Sequence, residues 1–221
     1  MELNFFDPTQ EHFIVERRLP HWAQAGAVSF PTWRTLDSLP AEVIERCLRE
    51  RDELLRPHAI DPQGDWQVEL GRLPAPVRAR IKWTISERWD QSLDECHGRG
   101  LLRRPELSQI VADNLRHLDG QDYDLTDFVV MPNHVHVLAA FPTAEAMLAR
   151  VSAWKRYQAR AINKLIGEAG HFWQEDGFDH LVRSPEQFEY LRRYIGNNPA
   201  KARLREGEFR LYSKPLSATA G

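Results

Sequence analysis

The stretch Asp124–Phe141, DLTDFVVMPNHVHVLAAF, decides the fold. Val129, Val130 and Met131 end one apolar run. Pro132 and Asn133 break it, and His134-Val135-His136-Val137-Leu138 starts a second at once. Two apolar runs around a Pro-Asn turn predict an antiparallel hairpin, with strands over 124–131 and 134–141. Successive side chains of a strand point to opposite faces, so His134 and His136 share one face while Val135 and Val137 share the other. Two imidazoles about 6.7 Å apart along a strand can converge on one metal ion. A pair of surface histidines, or of satisfied core histidines, fits the same spacing. The pair alone therefore leaves a metal site and a structural role both open.

Upstream, Gly26 to Thr35 reads as a strand, with Val28, Phe30 and Thr32 alternating against Ala27, Ser29 and Pro31. Pro31 predicts an edge position or a bulge, because proline donates nothing to a ladder. Ser38-Leu39-Pro40-Ala41-Glu42 opens a helix whose apolar positions Val43, Ile44, Cys47, Leu48, Leu54 and Leu55 have helical spacing, and Pro57 stops it. Residues 57–76 read as a loop rich in Pro, Gly and Asp. Helices follow over Pro76–Trp89 and Leu101–Leu118.

Downstream of the hairpin, Thr143 caps a helix over Ala144–Ile166, which Gly167 and Gly170 end. A short strand lies near Phe178–Val182. Ser184-Pro185-Glu186-Gln187 combines a Ser cap, Pro at the first helical position and Gln three residues after the cap. The helix it starts is expected to reach about Asn197, with Pro199 ending or kinking it.

With 57–118 set aside as a loop and helical insertion, the order is strand, helix, hairpin, helix, strand, helix. That is an α+β class, a ferredoxin-like βαββαβ antiparallel sheet with helices on one face, an insertion and a C-terminal helix. Residues 1–25 read as an N-terminal arm, in which Arg17, Arg18, His21 and Trp22 either pack on the core or touch a ligand. Residues 213–221 read as a frayed tail.

The 221 residues, 42% of them hydrophobic, suffice for one compact domain with extensions or two small ones. Cys47 and Cys96 form no CxxC, which fits a reducing cytoplasm rather than a disulfide framework. No signal peptide and no apolar run of membrane-spanning length is visible. The net charge of −3 argues against a nucleic-acid partner, but its distribution does not. Residues 150–221 hold 13 Lys/Arg against 8 Asp/Glu, and residues 1–149 hold 16 against 24. A basic C-terminal third can offer a phosphate-binding face, although ordinary solvated helix faces produce the same count.

Tyr190, Tyr194 and Asn198 recur every four residues and share one helix face if the last helix persists that far. Tyr194 is either a nucleophile or an aromatic that anchors the helix. A phenol with a pKa near 10 is unreactive at neutral pH unless a cation or a base assists it.

MPNHVHVL, then WKRYQARAIN, then FWQEDGFDHLVRSPEQFEYLRRYIGNNPAKARL, with PHW…GAVSFPTWRTLDSLP before them, resemble the successive signatures of the REP-associated tyrosine transposases. These belong to the single-tyrosine HUH transposase superfamily. The resemblance spans about residues 17–205. It implies that His134 and His136 hold Mg²⁺ or Mn²⁺, that Asn198 is the third metal ligand, and that Tyr194 is the nucleophile. It implies a ferredoxin-like fold and a substrate of single-stranded or hairpin DNA from palindromic repeats. The enzyme so implied is a metal-dependent DNA endonuclease and strand transferase, monomeric or homodimeric. Arg34, Lys155, Arg156, Arg183, Arg192, Arg193 and Lys201 are expected to contact the DNA backbone, and Trp173, with Phe172, to stack on unpaired bases. Two other functions compete: a domesticated relative that binds DNA hairpins without cutting, and a phosphodiesterase that activates water. Pro31 and the long insertion depart from the family pattern and bear on DNA specificity.

Overall fold

A computed structural model of the chain describes residues 3–7, 13–16, 20–175 and 178–215. The chain divides into two compact units, residues 1–36 with 99–221, and residues 37–98.

In the first unit the hairpin expectation holds. Strand β4 (Asp124–Val130) and strand β5 (His134–Ala140) pair antiparallel, and Met131 N–H donates to His134 O at 2.8 Å to close the turn on Pro132-Asn133. Strand β3 (Val28–Arg34) pairs with β5 on one side and with β6 (Phe178–Leu181) on the other, both antiparallel. The order β6-β3-β5-β4 is that of a split βαββαβ sheet, and β7 (Arg210–Ser213) extends it beyond β4. Strand β7 therefore lies just ahead of the stretch expected to fray and includes Ser213. Residues 216–221 lie outside the described residues.

Pro31 occupies an inner strand, not an edge. Strands β3 and β5 keep one register on both sides of it, Ser29 opposite Ala139 and Thr32 opposite His136, but the pairs at Phe30 and Pro31 are missing from that ladder. The sheet thus tolerates proline by leaving a two-residue gap where no N–H exists to donate. A bulge at Thr126 shifts the β4–β5 register between Leu125 and Asp127. Leu125 and Phe128 consequently both reach one apolar core, although they are three residues apart.

Two faces result. Val135, Val137, Ala139, Phe128, Val130 and Trp33 pack under helix α4 (Pro105–Arg116) and helix α5 (Ala144–Ile166). Helix α6 (Pro185–Lys201) lies on the opposite face, against β4, β5 and β7. The caps of α5 and α6 form as read: Thr143 accepts from Ala146 N–H, and Ser184 accepts from Gln187 N–H. Leu165 is exposed, and the buried stripe of α5 runs through Met147, Trp154, Gln158 and Ile162. Helix α6 does not stop near Asn197. It continues through Pro199 to Lys201.

The arm contains a two-stranded antiparallel ribbon, β1 (Phe13–Glu16) with β2 (Pro20–Ala23). Arg17 and Arg18 lie outside the described residues.

The second unit comprises α1 (Ala41–Leu55), α2 (Trp66–Gly71) and α3 (Ala75–Asp94). Val43 and Cys47 of α1 bury against Leu39 and Leu93, while Leu55, Ile60, Leu70 and Ile81 form a second small core. The unit closes where Gly98, at φ 84°, passes the Asp37 backbone so tightly that a Cβ would collide with the Asp37 carbonyl. The independent helical unit is thus 37–98, where 57–118 was expected. Apolar spacing shows that a helix has a face to bury but not what covers it. The stripe of α1 goes to α3, and the stripe of α4 goes to the sheet.

Candidate active site

The site grows from the α6-facing side of β5. His134 and His136 are fully buried, with ring centroids 4.7 Å apart and planes 77° to one another. Each Nδ1 has a partner. His134 Nδ1 donates to Asn133 Oδ1 at 2.8 Å, and Thr32 Oγ1 lies 2.7 Å from His136 Nδ1. A proton held on Nδ1 leaves Nε2 as the lone-pair nitrogen, which is how outer partners fix a metal-ligating imidazole. Phe30 lies flat against the His136 ring at 5.2 Å with planes 8° apart.

Burial keeps both rings neutral. It pushes the pKa of His134 down to about 3. Burial, reinforced by the neighbouring His134 ring, with which it could not share a second proton, and by the Lys201 charge, holds His136 well below the usual imidazole range. Neutral imidazole is the form that binds a cation.

Helix α6 brings its residues to this floor. The half-buried Tyr194 ring meets the His136 ring edge-on at 5.3 Å and Phe30 at 6.3 Å. Lys201 Nζ lies over the Tyr194 ring, 4.7 Å from its centroid. One turn beyond Tyr194, Asn198 is fully buried. His136 Nε2 and both polar atoms of Asn198 are buried with no hydrogen-bond partner among the described residues. Buried polar atoms are seldom left so, because each costs about 1–3 kcal/mol. A divalent cation suits this donor set of imidazole nitrogens and a carboxamide oxygen.

The remaining expected DNA contacts are dispersed. Trp173 is only 5% exposed and packs edge-on against Trp33 at 6.2 Å, so its ring belongs to the core, and Phe172 beside it is buried too. Arg192 Nε donates to both carboxylate oxygens of buried Asp127 at 3.1 and 2.9 Å, and its Nη2 to Ser213 Oγ and Lys214 O. That guanidinium ties α6 to β4 and β7. Lys155 Nζ donates to the carbonyls of Gln174 and Glu175 at 2.7 and 2.8 Å. Arg34 is half-buried, opposite His134 in the β3–β5 ladder. Arg156, Arg183, Arg193 and Lys201 are exposed. Sequence reasoning missed Thr32, Asn133 and Phe30. Asn133 was read only as a turn residue, and the place of Thr32 and Phe30 beside His136 requires the strand register.

The sheet thus carries a buried histidine pair beneath a tyrosine of α6. The family model described as "Transposase IS200 like" matches residues 103–198. The matched segment contains His134, His136, Tyr194 and Asn198. A solved structure, "Structure of the REP associates tyrosine transposase bound to a REP hairpin", is similar at 14% identity and a TM-score of 0.35, covering 80% of this chain and 68% of that one. No curated protein matches the chain. No helix among the described residues is long and apolar enough to cross a membrane.

Proposed function

We propose that the chain is a single-strand DNA endonuclease and strand transferase that works through a phosphotyrosine. The observation that carries this reading is the meeting of Tyr194 and His136 at 5.3 Å, from elements nearly sixty residues apart in sequence. A phenol beside a buried, neutral histidine pair is an arrangement that burial alone does not call for, and it lies within the IS200-like segment.

His134, His136 and Asn198 would hold Mg²⁺ or Mn²⁺. A cation held by these residues would supply Lewis-acid stabilisation of charge at the scissile phosphate. Asn133 keeps His134 in the tautomer that such binding requires, and the Thr32 hydroxyl, which can accept from Nδ1, is compatible with the same tautomer at His136. Tyr194 Oη attacks phosphorus in line. A Tyr–O–P bond forms, the bond to the 3′ oxygen breaks, and the phenolic proton ends, in net balance, on that 3′-OH. The phosphotyrosine conserves the bond energy, so a 3′-OH can reverse the step and join strands without ATP. The resemblance to REP-associated tyrosine transposases supports single-stranded or hairpin DNA as substrate. One chain supplies both Tyr194 and the histidine it meets, which supports cleavage without a second copy.

Purified protein with Mn²⁺ should cut a single-stranded hairpin oligonucleotide and remain covalently attached. Tyr194→Phe should abolish the adduct and leave the fold intact. Cleavage without an adduct, retained in Tyr194→Phe, would identify a phosphodiesterase that uses water. Hairpin binding with no cleavage by the unaltered protein would identify a domesticated binder.

A further inference from the structure

The residues alone name no cation or base beside Tyr194, yet a phenol needs help to act at neutral pH. Helix α6 supplies a cation because it does not stop at Pro199. Lys201 lies seven residues after Tyr194, two helical turns on, and its ammonium sits over the phenol ring at 4.7 Å from the centroid. The same charge acts on His136, whose ring meets the Tyr194 ring. Lys201 is an exposed residue, so this charge stands at the mouth of a site whose floor is buried. Among the described residues no carboxylate pairs with it. A flexible, strongly hydrated ammonium normally extends into water. Here it is laid back over an aromatic face, with no carboxylate among the described residues to balance it.

We infer that Lys201 is a substrate-contacting residue that grips the scissile phosphate itself and holds it against Tyr194. This rests on the phosphotyrosine reading above. It assigns Lys201 a different place from a general backbone contact, because the charge it balances is the one at the bond that breaks. The ammonium rests on the ring face, so a phosphate that it holds lies beside the phenol.

The test couples the lysine to a single phosphate by binding, in a Tyr194→Phe background that stops cleavage. Hairpin oligonucleotides carry either a natural phosphodiester or a neutral methylphosphonate at the scissile position, and binding is measured with Mn²⁺ present. Lys201→Met should weaken binding of the natural hairpin roughly 3–10-fold and leave binding of the methylphosphonate hairpin unchanged, with Lys201→Arg intermediate. An equal loss on both hairpins would make Lys201 an ordinary backbone contact, and no loss on either would make it a surface residue. Both overturn the inference. Adduct formation by the unaltered protein is scored separately and bears on the phosphotyrosine reading alone. Thermal unfolding of Lys201→Met, expected to match the parent, excludes a folding defect.

Discussion

The two faces of strand β5 are built to opposite specifications. One presents Val135, Val137 and Ala139 to a continuous apolar core under α4 and α5. The other presents His134 and His136 to α6, with a buried nitrogen of His136 and the buried Asn198 carboxamide that have no hydrogen-bond partner among the described residues. Successive residues of one strand thus serve stability and chemistry in turn. The first face gains free energy from every atom it buries. The second forgoes some by burying polar groups that only a ligand can satisfy. If this division is right, substitutions on the first face should unfold the protein and leave the site's chemistry intact in what remains folded. Substitutions on the second should do the reverse.

The largest stability loss is expected on the apolar face. Trp154 is 1% exposed and meets Trp33, Tyr123 and Phe141 ring to ring at 6.0, 4.9 and 6.0 Å. Trp154→Ala should cost about 3–5 kcal/mol, seen as a lowered denaturant midpoint. Tyr194→Phe should move that midpoint by less than about 0.5 kcal/mol, since it deletes one hydroxyl from a half-buried ring. A Trp154→Ala loss under about 1 kcal/mol would erase the distinction between the faces.

How much of this division the sequence carries depends on the range of the signal. The hairpin, the caps at Thr143 and Ser184, and the alternation that separates His134 and His136 from Val135 and Val137 are local, and all are legible. So is the four-residue spacing of Tyr194 and Asn198. What covers a helix is not local. The stripes of α1 and α4 look alike in sequence, yet one helix belongs to the 37–98 unit and the other to the sheet. Aromatic and basic side chains carry the same ambiguity. Trp173 offered a base-stacking surface on paper and sits in the core, while Arg192 offered a phosphate contact and is bound to Asp127. Strand β7, which supplies Ser213 to that ion pair, is four residues long and has no apolar alternation to announce it.

Arg192 also provides an intermediate case, because it lies on the functional face and does structural work. Asp127 is 1% exposed, and its carboxylate receives Arg192 Nε and the hydroxyl of Ser213, the latter at 2.5 Å. Removing one partner of a buried pair leaves a charge without compensation. The Arg192 side chain still reaches water at 20% exposure, so Arg192→Met should cost about 2–3 kcal/mol instead of the full penalty of a sealed pair. Asp127→Asn/Arg192→Met, which removes both charges, should recover part of that loss in chemical denaturation. If Arg192→Met instead weakens hairpin binding and leaves stability unchanged, the guanidinium faces DNA after all.

A pH-dependent effect is the one most specific to the functional face. An imidazole that folding holds neutral has a lowered pKa, so below pH 6.5 the unfolded chain takes up a proton that the folded chain refuses. Stability is therefore full above pH 6.5 and declines as pH falls from there toward about 3, the folded value for His134. The slope is about 1.4 kcal/mol per pH unit for each such histidine, which gives His134 about 2 kcal/mol between pH 6.5 and 5. His136 acts in the same direction. His134→Gln, whose carboxamide can still donate to Asn133, should flatten this stretch of the stability–pH curve by that amount, whereas Val135→Ala, one residue away on the other face, should lower the whole curve and leave its slope alone. Parallel curves for the His134→Gln variant and its parent would mean that the imidazole is already protonated, or already open to water, in the folded state. The histidine face would then lack the dry, neutral floor that sets it apart from its neighbour.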